Sequence, residues 1–345
     1  MKILFDHQIF SSQRFGGISR YHVELIKNLD VQWDIPVFFS NNFYLKEIKK
    51  VPEFLPSKNF QGKNRILEII NRIKSLSALY RGDFDIFHPT FYSTYALPFL
   101  KNRLLVMTLH DMIHDRFDDL PAAKWEKREK YAMAQAASAI IVPSKFTADE
   151  LMSLYGISAK KIHVVCHGGP DWRSAPQMPV ENRFLFVGGR TYYKNFFVVL
   201  EALKLVPEST LFVVGNAFSE SELQMIENLG IRNRIKVIKA SDDELVQLYA
   251  SSSALIFSSK MEGFGLPVLE AFAANCPVIC SDIPVFHEVG GDAALYFEPE
   301  NPASLADAMR QNMKHRSVSN LAGQLSRFTW KKCASQTLEV YQSVL

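Results

Sequence analysis

Two glutamates flank a glycine-rich turn in the sequence EGFGLPVLE, which starts at Glu262. Gly263 and Gly265 let the backbone turn sharply and approach a ligand, and Pro267 suits a helix start because its missing N–H is not needed there. The first amides of such a helix carry the positive end of its dipole and attract phosphate oxygens. Glu262 and Glu270 can accept hydrogen bonds from sugar or ribose hydroxyls. The segment therefore predicts a nucleotide-sugar site, and the alternative is a helix start with solvated glutamates.

A second candidate anion site has the sequence GGRTYYKN and follows a predicted strand. Arg190 and Lys194 place two permanent cations on one loop, and a diphosphate is the dianion that suits them. When a nucleoside diphosphate leaves a sugar, negative charge builds on its oxygen, and fixed cations stabilise that charge. We therefore predict that this pair assists departure of the leaving group. The alternative is an exposed basic turn.

Two segments in the first half of the chain also follow predicted strands. Gly16 and Gly17 permit close backbone approach to a ligand at the start of a helix, but they lack the spacing of a dinucleotide fingerprint. His110 and Asp111 end the run LLVMTLHD, and His88 ends an earlier strand. A histidine at such a position can hydrogen-bond a sugar hydroxyl or transfer a proton. The alternative for each segment is a structural role.

Short apolar runs rich in β-branched residues alternate with amphipathic segments, which predicts an α/β protein with parallel sheets and crossover helices. The predicted strands are 2–6, 35–40, 85–88, 104–110, 139–142, 162–165, 184–187, 210–214, 235–238, 254–257, 278–280 and 294–297. The predicted helices are 17–29, 62–80, 121–137, 145–155, 194–205, 219–229, 242–250, 266–274 and 302–313. Ligands of open α/β sheets bind at the carboxyl ends of the strands. Two such sheets facing each other would therefore gather the four segments around one cleft.

The length of 345 residues favours two domains. The stretch CHGGPDWRSAPQMPVEN is rich in glycine, proline and polar residues and shows no hydrophobic periodicity, so it is the predicted linker. We expect an N-terminal domain at 1–166, the linker at 167–182, a C-terminal domain at 183–329 and a closing helix at 330–345.

Composition excludes several classes of protein. A net charge of +3 is far from that of a dedicated nucleic-acid binder, so no nucleic-acid partner is expected. The four cysteines show no CxxC pair, which favours a reduced, cytoplasmic protein. The N-terminal MKILFDHQIF is not expected to be a signal peptide, and no apolar stretch is long enough to span a bilayer. Because no His, Cys and carboxylate set has metal-ligand spacing, we expect catalysis without a metal ion or other cofactor.

The segment 62–82 combines apolar and basic residues at helical spacing. Its apolar stripe comprises Ile66, Ile69, Ile70, Ile73 and Leu76, and its polar positions include Lys63, Arg65, Arg72, Lys74 and Arg81. A surface helix of this kind can lie on an anionic membrane. The alternative is a helix that packs this stripe on its own domain, and the sequence leaves both open.

Together these motifs resemble the retaining glycosyltransferases of family four, whose GT-B architecture has two Rossmann-like doubly wound domains facing across a cleft. The resemblance covers nearly the whole chain. It rests on GGxxR after the first strand, the RxxxKN loop, the pair of glutamates separated by seven residues, the PVIxSD segment at 277–282 and the final FTWKKCASQTLEVY. One departure is the GGRTYYKN loop, since many relatives carry an acidic residue or proline before the lysine.

The resemblance implies that Glu270 contacts the ribose, Glu262 the donor sugar, and Arg190 with Lys194 the diphosphate. It also implies that the closing helix packs back on the N-terminal domain. The expected catalytic residues are Glu262, His110, Arg190 and Lys194. The expected donor-binding residues are Gly16, Gly17, Arg190, Lys194, Asn195, Gly263, Phe264, Gly265, Leu266 and Glu270. Acceptor contacts are expected from His88 and Asp111, and within the segments 41–82 and 111–125.

The activity implied by the resemblance is transfer of a sugar, with retention of its anomeric configuration, from a UDP- or GDP-sugar to a glycan or lipid-linked glycan. The setting would be synthesis of lipopolysaccharide O-antigen, capsule or exopolysaccharide in the cytoplasm, with peripheral contact at the inner face of the membrane. One alternative is an epimerase or phosphorylase of the same architecture. Another is a two-lobed sugar-binding protein, against which the linked Arg/Lys and Glu sites argue.

Overall fold

The computed structural model describes residues 1–56, 60–117, 119–120, 123–172, 181–316 and 320–345. The chain divides into two compact units. Unit 1 comprises Met1–His167 and Trp330–Leu345, and unit 2 comprises Gly168–Thr329. Each unit contains one six-stranded parallel sheet with helical crossovers, so the predicted α/β class is confirmed. Residues 173–180 of the predicted linker lie outside the described residues.

Unit 1 is a doubly wound sheet. Its strands are β1 (Lys2–Leu4), β2 (Gln32–Asp34), β3 (Ile86–Phe87), β4 (Leu104–Thr108), β5 (Ala139–Val142) and β6 (Ile162–Val164). Its first seven helices are α1 (Gln8–Ser12), α2 (Gly17–Asn28), α3 (Lys63–Arg81), α4 (Leu97–Leu100), α5 (Ile113–Arg116), α6 (Ala123–Ala136) and α7 (Lys145–Tyr155). The strand order β2-β1-β3-β4-β5-β6 changes direction between β1 and β3. Loops after these two strands therefore diverge and leave a crevice.

Unit 2 repeats this plan with a different strand order. Its strands are β7 (Arg183–Val187), β8 (Thr210–Val214), β9 (Ile235–Ile238), β10 (Ala254–Phe257), β11 (Val278–Ser281) and β12 (Ala294–Phe297). Its helices are α8 (Phe196–Leu205), α9 (Glu220–Asn228), α10 (Asp242–Ala250), α11 (Leu266–Ala273), α12 (Pro284–Gly290), α13 (Pro302–Lys314) and α14 (Leu321–Leu325). The order β12-β11-β10-β7-β8-β9 changes direction between β10 and β7. The loops after β7 and β10 thus flank the expected ligand position of this sheet.

The closing helix α15 (Trp330–Val344) belongs to unit 1 and packs against α2. Its face toward that unit buries Trp330, Cys333, Val340 and Tyr341. The chain thus returns to its first unit after completing the second one, and the core of unit 1 includes the last helix of the chain.

One predicted strand is wrong. Residues 35–40 do not join the sheet, and β2 ends at Asp34. Pro36 has no N–H to donate to a ladder, so the apolar run after it packs as a loop in which Ile35 and Val37 are buried. The short helices α1 and α12 are absent from the prediction because five to seven residues are too few to show a helical period. Residues 121–122 of the predicted helix 121–137 lie outside the described residues.

Across the ranges that the structure describes, no helix combines the length and the apolar character needed to cross a membrane.

Candidate active site

The change of direction in the sheet of unit 2 brings two predicted site residues into contact. The loop after β7 carries Lys194 and the loop after β10 carries Glu262. Lys194 Nζ lies 2.5 Å from Glu262 Oε1, and their side chains are 20% and 12% exposed. Ser259 Oγ donates a further hydrogen bond of 2.6 Å to the same carboxylate oxygen. An ammonium group and a carboxylate that can accept hydrogen bonds from sugar hydroxyls therefore lie together at one partly buried position.

Backbone contacts explain why Lys194 lies there. Ser258 Oγ donates to the carbonyl oxygen of Lys194 at 2.8 Å and so ties the two loops together. The next residue, Asn195, adopts a left-handed conformation with φ +54°, which asparagine tolerates better than most side chains. Its Nδ2 donates to the carbonyl oxygen of Pro299 at 2.5 Å. Asn195 thus holds the turn between the lysine and α8.

Arg190 is held by a carboxylate from α9. Its Nε and Nη2 contact the two oxygens of Glu222 at 2.6 and 3.2 Å, and Nη2 also donates to the carbonyl oxygen of Ala217 at 2.8 Å. Burial alone raises the pKa of the Glu222 carboxyl, but hydrogen bonds from Arg190 and Ser219 outweigh burial and hold the pKa below its usual range. The pairing of Arg190 with Glu222 was not predicted, and contact of Arg190 with a diphosphate stays a prediction.

The predicted turn opens α11. Gly265 has φ +127°, a conformation that favours glycine, and α11 begins at Leu266. Phe264 is buried edge-on against Phe328, with ring centroids 5.8 Å apart. Glu270 lies one turn into the helix, and Tyr249 Oη donates to its Oε2 at 3.0 Å. The turn therefore places the start of α11 directly after the loop that carries the ion pair.

In unit 1, the predicted glycines lie at the start of α2. Gly16 precedes the helix and Gly17 is its first residue. A side chain at Gly16 would collide with the side-chain amide of Gln13, because an added Cβ would lie 2.2 Å from Gln13 Oε1. Gly16 O accepts hydrogen bonds of 3.0 Å from Ser19 Oγ and from the Arg20 amide.

His110 follows β4 and lies in a group of buried aromatic residues. Its ring is edge-on to Tyr21 at 5.0 Å between centroids, and the His22 and His167 rings lie 5.9 and 5.6 Å away. Burial lowers the pKa of His110 to about 4; Asp111 opposes this decrease and Lys130 adds to it. Within the described part of the chain, its buried Nε2 has no hydrogen-bond partner. The ring is therefore neutral at physiological pH and keeps one nitrogen available.

His88 is an interior residue. Its Nδ1 lies 2.5 Å from Tyr341 Oη and its Nε2 lies 2.9 Å from Thr108 Oγ1. Burial, with a smaller effect of His110, lowers its pKa to about 3. Because the side chain has no exposed surface and both ring nitrogens are engaged, this position favours the structural alternative over acceptor contact. Asp111 is half-buried, and its Oδ1 accepts from the Ile113 amide at 2.9 Å.

Asp6 was not predicted as a site residue. It lies after β1, at the change of direction in the sheet of unit 1, and is fully buried. Its carboxylate accepts hydrogen bonds from Thr90 Oγ1 at 2.7 Å, Gln8 Nε2 at 2.7 Å and Tyr95 Oη at 3.0 Å. The signal in the sequence was a carboxylate that ends the apolar run KILFD. Asp6 joins the loops after β1 and β3.

For the described residues, there is no group of three or more His, Cys, Asp or Glu side chains that could hold a metal ion. Asp83 and Asp85 both contact the first residue of β1: the Lys2 ammonium binds Asp83 and the Lys2 amide donates to Asp85.

Two family models match consecutive parts of this chain. The model described as Glycosyltransferase Family 4 matches residues 15–169, and the model described as Glycosyl transferases group 1 matches residues 172–340. Among curated proteins, the chain is 26% identical to O-antigen chain mannosyltransferase B of Escherichia coli, over 99% of this chain and 100% of that protein. It is 30% identical to O-antigen chain mannosyltransferase RfbU of Salmonella typhimurium, over 68% of this chain and 65% of that protein.

Solved structures share the fold. Anabaena HepE in complex with UDP and glucose has a TM-score of 0.77 at 19% identity, covering 99% of this chain and 100% of that one. The apo form of the lipopolysaccharide outer core galactosyltransferase WaaB has a TM-score of 0.71 at 19% identity, covering 100% of both chains. With these two Rossmann-like units and the two family matches, the chain belongs to the glycosyl transferases of group 1, in family 4, and is a glycosyltransferase with the GT-B fold.

Proposed function

We propose that this glycosyltransferase moves mannose from a nucleoside-diphosphate mannose to a glycan acceptor during synthesis of a bacterial O-antigen. The support for mannose and for O-antigen is the similarity to two O-antigen mannosyltransferases, one of which is matched along its full length. GDP-mannose is therefore the first donor to assay, and UDP-sugars are the donors to compare with it. Synthesis of this kind would take place in the cytoplasm, at the inner face of the membrane.

The observation that carries the proposal is the Lys194–Glu262 pair beside the start of α11. When a diphosphate binds, Lys194 and the α11 amides supply positive charge to its oxygens, and Glu262 is then free to accept hydrogen bonds from donor-sugar hydroxyls. The expected contacts of Arg190 with phosphate and of Glu270 with ribose would complete the donor site. In this arrangement cations and a helix dipole stabilise the leaving group, and we propose catalysis independent of a metal ion.

For the chemical step we propose retention without a protein nucleophile. The leaving phosphate departs from the same face on which the acceptor hydroxyl attacks, and one of its oxygens takes the proton of that hydroxyl. The bond from the anomeric carbon to the phosphate oxygen breaks as the new glycosidic bond forms. Glu262 holds donor hydroxyls, and His110, neutral at physiological pH, can accept a hydrogen bond from the substrate.

The test is transfer of mannose to an acceptor extract or a soluble mannoside, with GDP-mannose and UDP-sugars compared and the product anomer assigned by NMR. Arg190→Ala combined with Lys194→Ala should reduce turnover by about 10²-fold or more, the usual effect of removing charge stabilisation. The matched control is Lys204→Ala, which removes an exposed lysine from α8. An inverted product, wild-type turnover in the double variant or loss of activity in EDTA would each overturn the corresponding part of the proposal.

Two rival activities give different outcomes in the same assay. An epimerase would convert the nucleotide sugar in the absence of any acceptor, and a phosphorylase would need free phosphate. Acceptor-dependent release of the nucleoside diphosphate therefore separates a transferase from both.

We further propose that α3 docks on an anionic membrane. Three residues of the apolar stripe, Ile66, Ile69 and Ile73, are 44%, 54% and 61% exposed. The other two, Ile70 and Leu76, are half-buried. The buried face of the helix instead comprises Leu67, Asn71, Ser75, Ala78 and Leu79. The exposure of these three isoleucines supports membrane contact over packing of the whole stripe on its own unit. Exposed isoleucines at helical spacing, beside basic residues such as Arg65 and Arg72, suit a surface of anionic lipid.

Flotation with vesicles of phosphatidylglycerol and phosphatidylethanolamine tests this docking. Ile69→Gln combined with Ile73→Gln should abolish flotation and leave transfer to a soluble acceptor unchanged. The control is Phe99→Gln, which removes an exposed aromatic residue from α4. Undiminished flotation of the isoleucine variant would contradict the assignment of α3.

A further inference from the structure

A cluster of aromatic side chains lies on the surface of unit 1 directly before the Gly16–Gly17 turn. Phe15 and Phe43 are 55% and 46% exposed, and their rings stack with centroids 5.3 Å apart and planes at 30°. The Tyr44 ring is edge-on to both, with centroid distances of 6.4 and 5.5 Å. We call these three residues the aromatic platform. Leaving two stacked phenylalanines half exposed gains little for folding, and such patches mark binding surfaces.

Hydrogen bonds hold the platform in place. The Phe43 amide donates to the carbonyl oxygen of Arg14 at 2.9 Å, which joins the two segments that carry the rings. Asn42, fully buried, donates from Nδ2 to the carbonyl oxygen of Gln13 at 2.8 Å and accepts from the Leu45 amide at 2.9 Å. The rings are therefore positioned before a ligand arrives, which lowers the entropy lost on binding.

Polar groups lie beside the rings. The guanidinium carbon of Arg14 lies 5.6 Å from the Phe15 ring centroid. Gln13 Oε1 is a buried atom with no hydrogen-bond partner among the described residues, and it lies over Gly16. The platform thus combines aromatic faces with a hydrogen-bond donor and an unused acceptor. This combination suits a ligand with one apolar face and a rim of hydroxyls.

We propose that the aromatic platform binds a pyranose ring of the glycan acceptor, next to the turn that opens α2. The C–H groups on one face of a pyranose are slightly positive and lie against the negative face of an aromatic ring. Its hydroxyls would reach Arg14 and, after rotation of the Gln13 side chain, the amide of that residue. This inference rests on the proposed function, because transfer to a glycan requires an acceptor site in addition to the donor site. A lipid tail would have no use for these polar groups.

The test compares wild-type enzyme with Phe15→Ala combined with Phe43→Ala, using methyl mannobioside as the soluble acceptor probe. The KM for the mannobioside should rise about tenfold, which corresponds to roughly 1.4 kcal/mol. The kcat and the KM for GDP-mannose should stay within twofold. Phe15→Tyr combined with Phe43→Tyr keeps the ring faces and should stay near wild type, and Phe99→Ala is the control for loss of an exposed ring. Circular dichroism melting confirms folding of each variant.

A second readout does not need turnover. With 4-fluorophenylalanine placed at position 43, the ¹⁹F resonance should shift saturably as mannobioside is added and should not shift with sorbitol, which has no ring. An unchanged acceptor KM together with an unchanged resonance would overturn the proposal. So would a rise in donor KM alone, or a loss of vesicle flotation with unchanged acceptor KM, since these assign the platform to donor or lipid. If wild-type enzyme transfers no sugar while the resonance shifts, the result contradicts the proposed function but supports sugar binding at the aromatic platform.

Discussion

Replacing Lys130 with methionine should destabilise unit 1 severely. The side chain has no exposed surface, and its Nζ lies 3.0 Å from Asp115 Oδ2, 3.0 Å from the carbonyl oxygen of Asp111 and 3.4 Å from Glu126 Oε1. Burial alone lowers the pKa of Lys130, but the carboxylates of Asp111, Asp115 and Glu126 outweigh burial and raise it. The ammonium is therefore charged at physiological pH. Its attraction to these carboxylates stabilises the folded state fully below about pH 10 and is lost as the pH rises through the raised pKa.

The magnitude follows from what the substitution leaves behind. Asp115 is 1% exposed, so Lys130→Met leaves its buried carboxylate without a cation, whereas Glu126, 10% exposed, keeps its pair with His114 at 2.9 Å. Removing one partner of a buried ion pair costs about 3–5 kcal/mol. That is roughly a 10²- to 4 × 10³-fold increase in the unfolding equilibrium constant. Activity should fall too, because Lys130 holds the carbonyl of Asp111, the neighbour of His110.

Urea denaturation followed by tryptophan fluorescence suits this test, since Trp33, Trp125 and Trp330 belong to unit 1 and only one of the 4 tryptophans belongs to unit 2. Lys124→Met, an exposed position on the same helix, should stay within about 0.5 kcal/mol of wild type. Adding Asp115→Asn to Lys130→Met should recover part of the loss, because one stranded charge is removed. A loss below about 1 kcal/mol, or no recovery in the double variant, would refute the reasoning.

Three further outcomes are expected. Lys194→Ala alone should lower turnover by about 10²-fold. Glu262→Gln should raise the KM for the nucleotide sugar more than it raises the Kd for the free nucleotide, and an equal rise in that KM and that Kd would contradict the assigned role of Glu262. The pKa of His110 is lowered to about 4 in the folded protein, whereas an unfolded histidine titrates near pH 6.5. On acidification the unfolded chain therefore takes up the His110 proton first, and the free energy of unfolding should fall between about pH 6.5 and pH 4. His110→Gln should flatten that fall in urea midpoints, and an unchanged slope would contradict burial of the neutral ring. Gly265→Ala should cost about 1–3 kcal/mol because φ is +127°, whereas Gly189→Ala, with nothing near the added carbon, should show little change in thermal melts.

The fold was predictable from the sequence because helical and strand periods alternate and are long enough to recognise. The strand bounds 210–214, 235–238 and 254–257 agree with β8, β9 and β10. The prediction at 35–40 failed because hydrophobicity alone does not report the missing N–H of Pro36. Which strands are neighbours is a tertiary property, and a sequence pattern of period two carries no information about strand order.

The candidate site, too, was predictable only in part. Residue types and their positions after strands predicted Lys194 and Glu262 as site residues, but the contact between them depends on β7 and β10 being neighbours. The partner of Arg190 was not predictable, because Glu222 lies 32 residues further along the chain on a helix start. Lone histidines were ambiguous for a physical reason: His88 and His110 follow strands alike, and only burial and hydrogen-bond partners distinguish them.

The return of α15 to unit 1 bears on how the protein is made. On the ribosome, residues 1–167 emerge first, yet the surface that Trp330 and Tyr341 cover stays open until the whole of unit 2 has been synthesised. At about 5–20 residues per second that delay is on the order of ten seconds. During it, Tyr21 and His88 face solvent or a chaperone instead of the last helix. The nascent chain therefore completes its second unit before its first, and docking of α15 completes the core of the unit that was synthesised earlier.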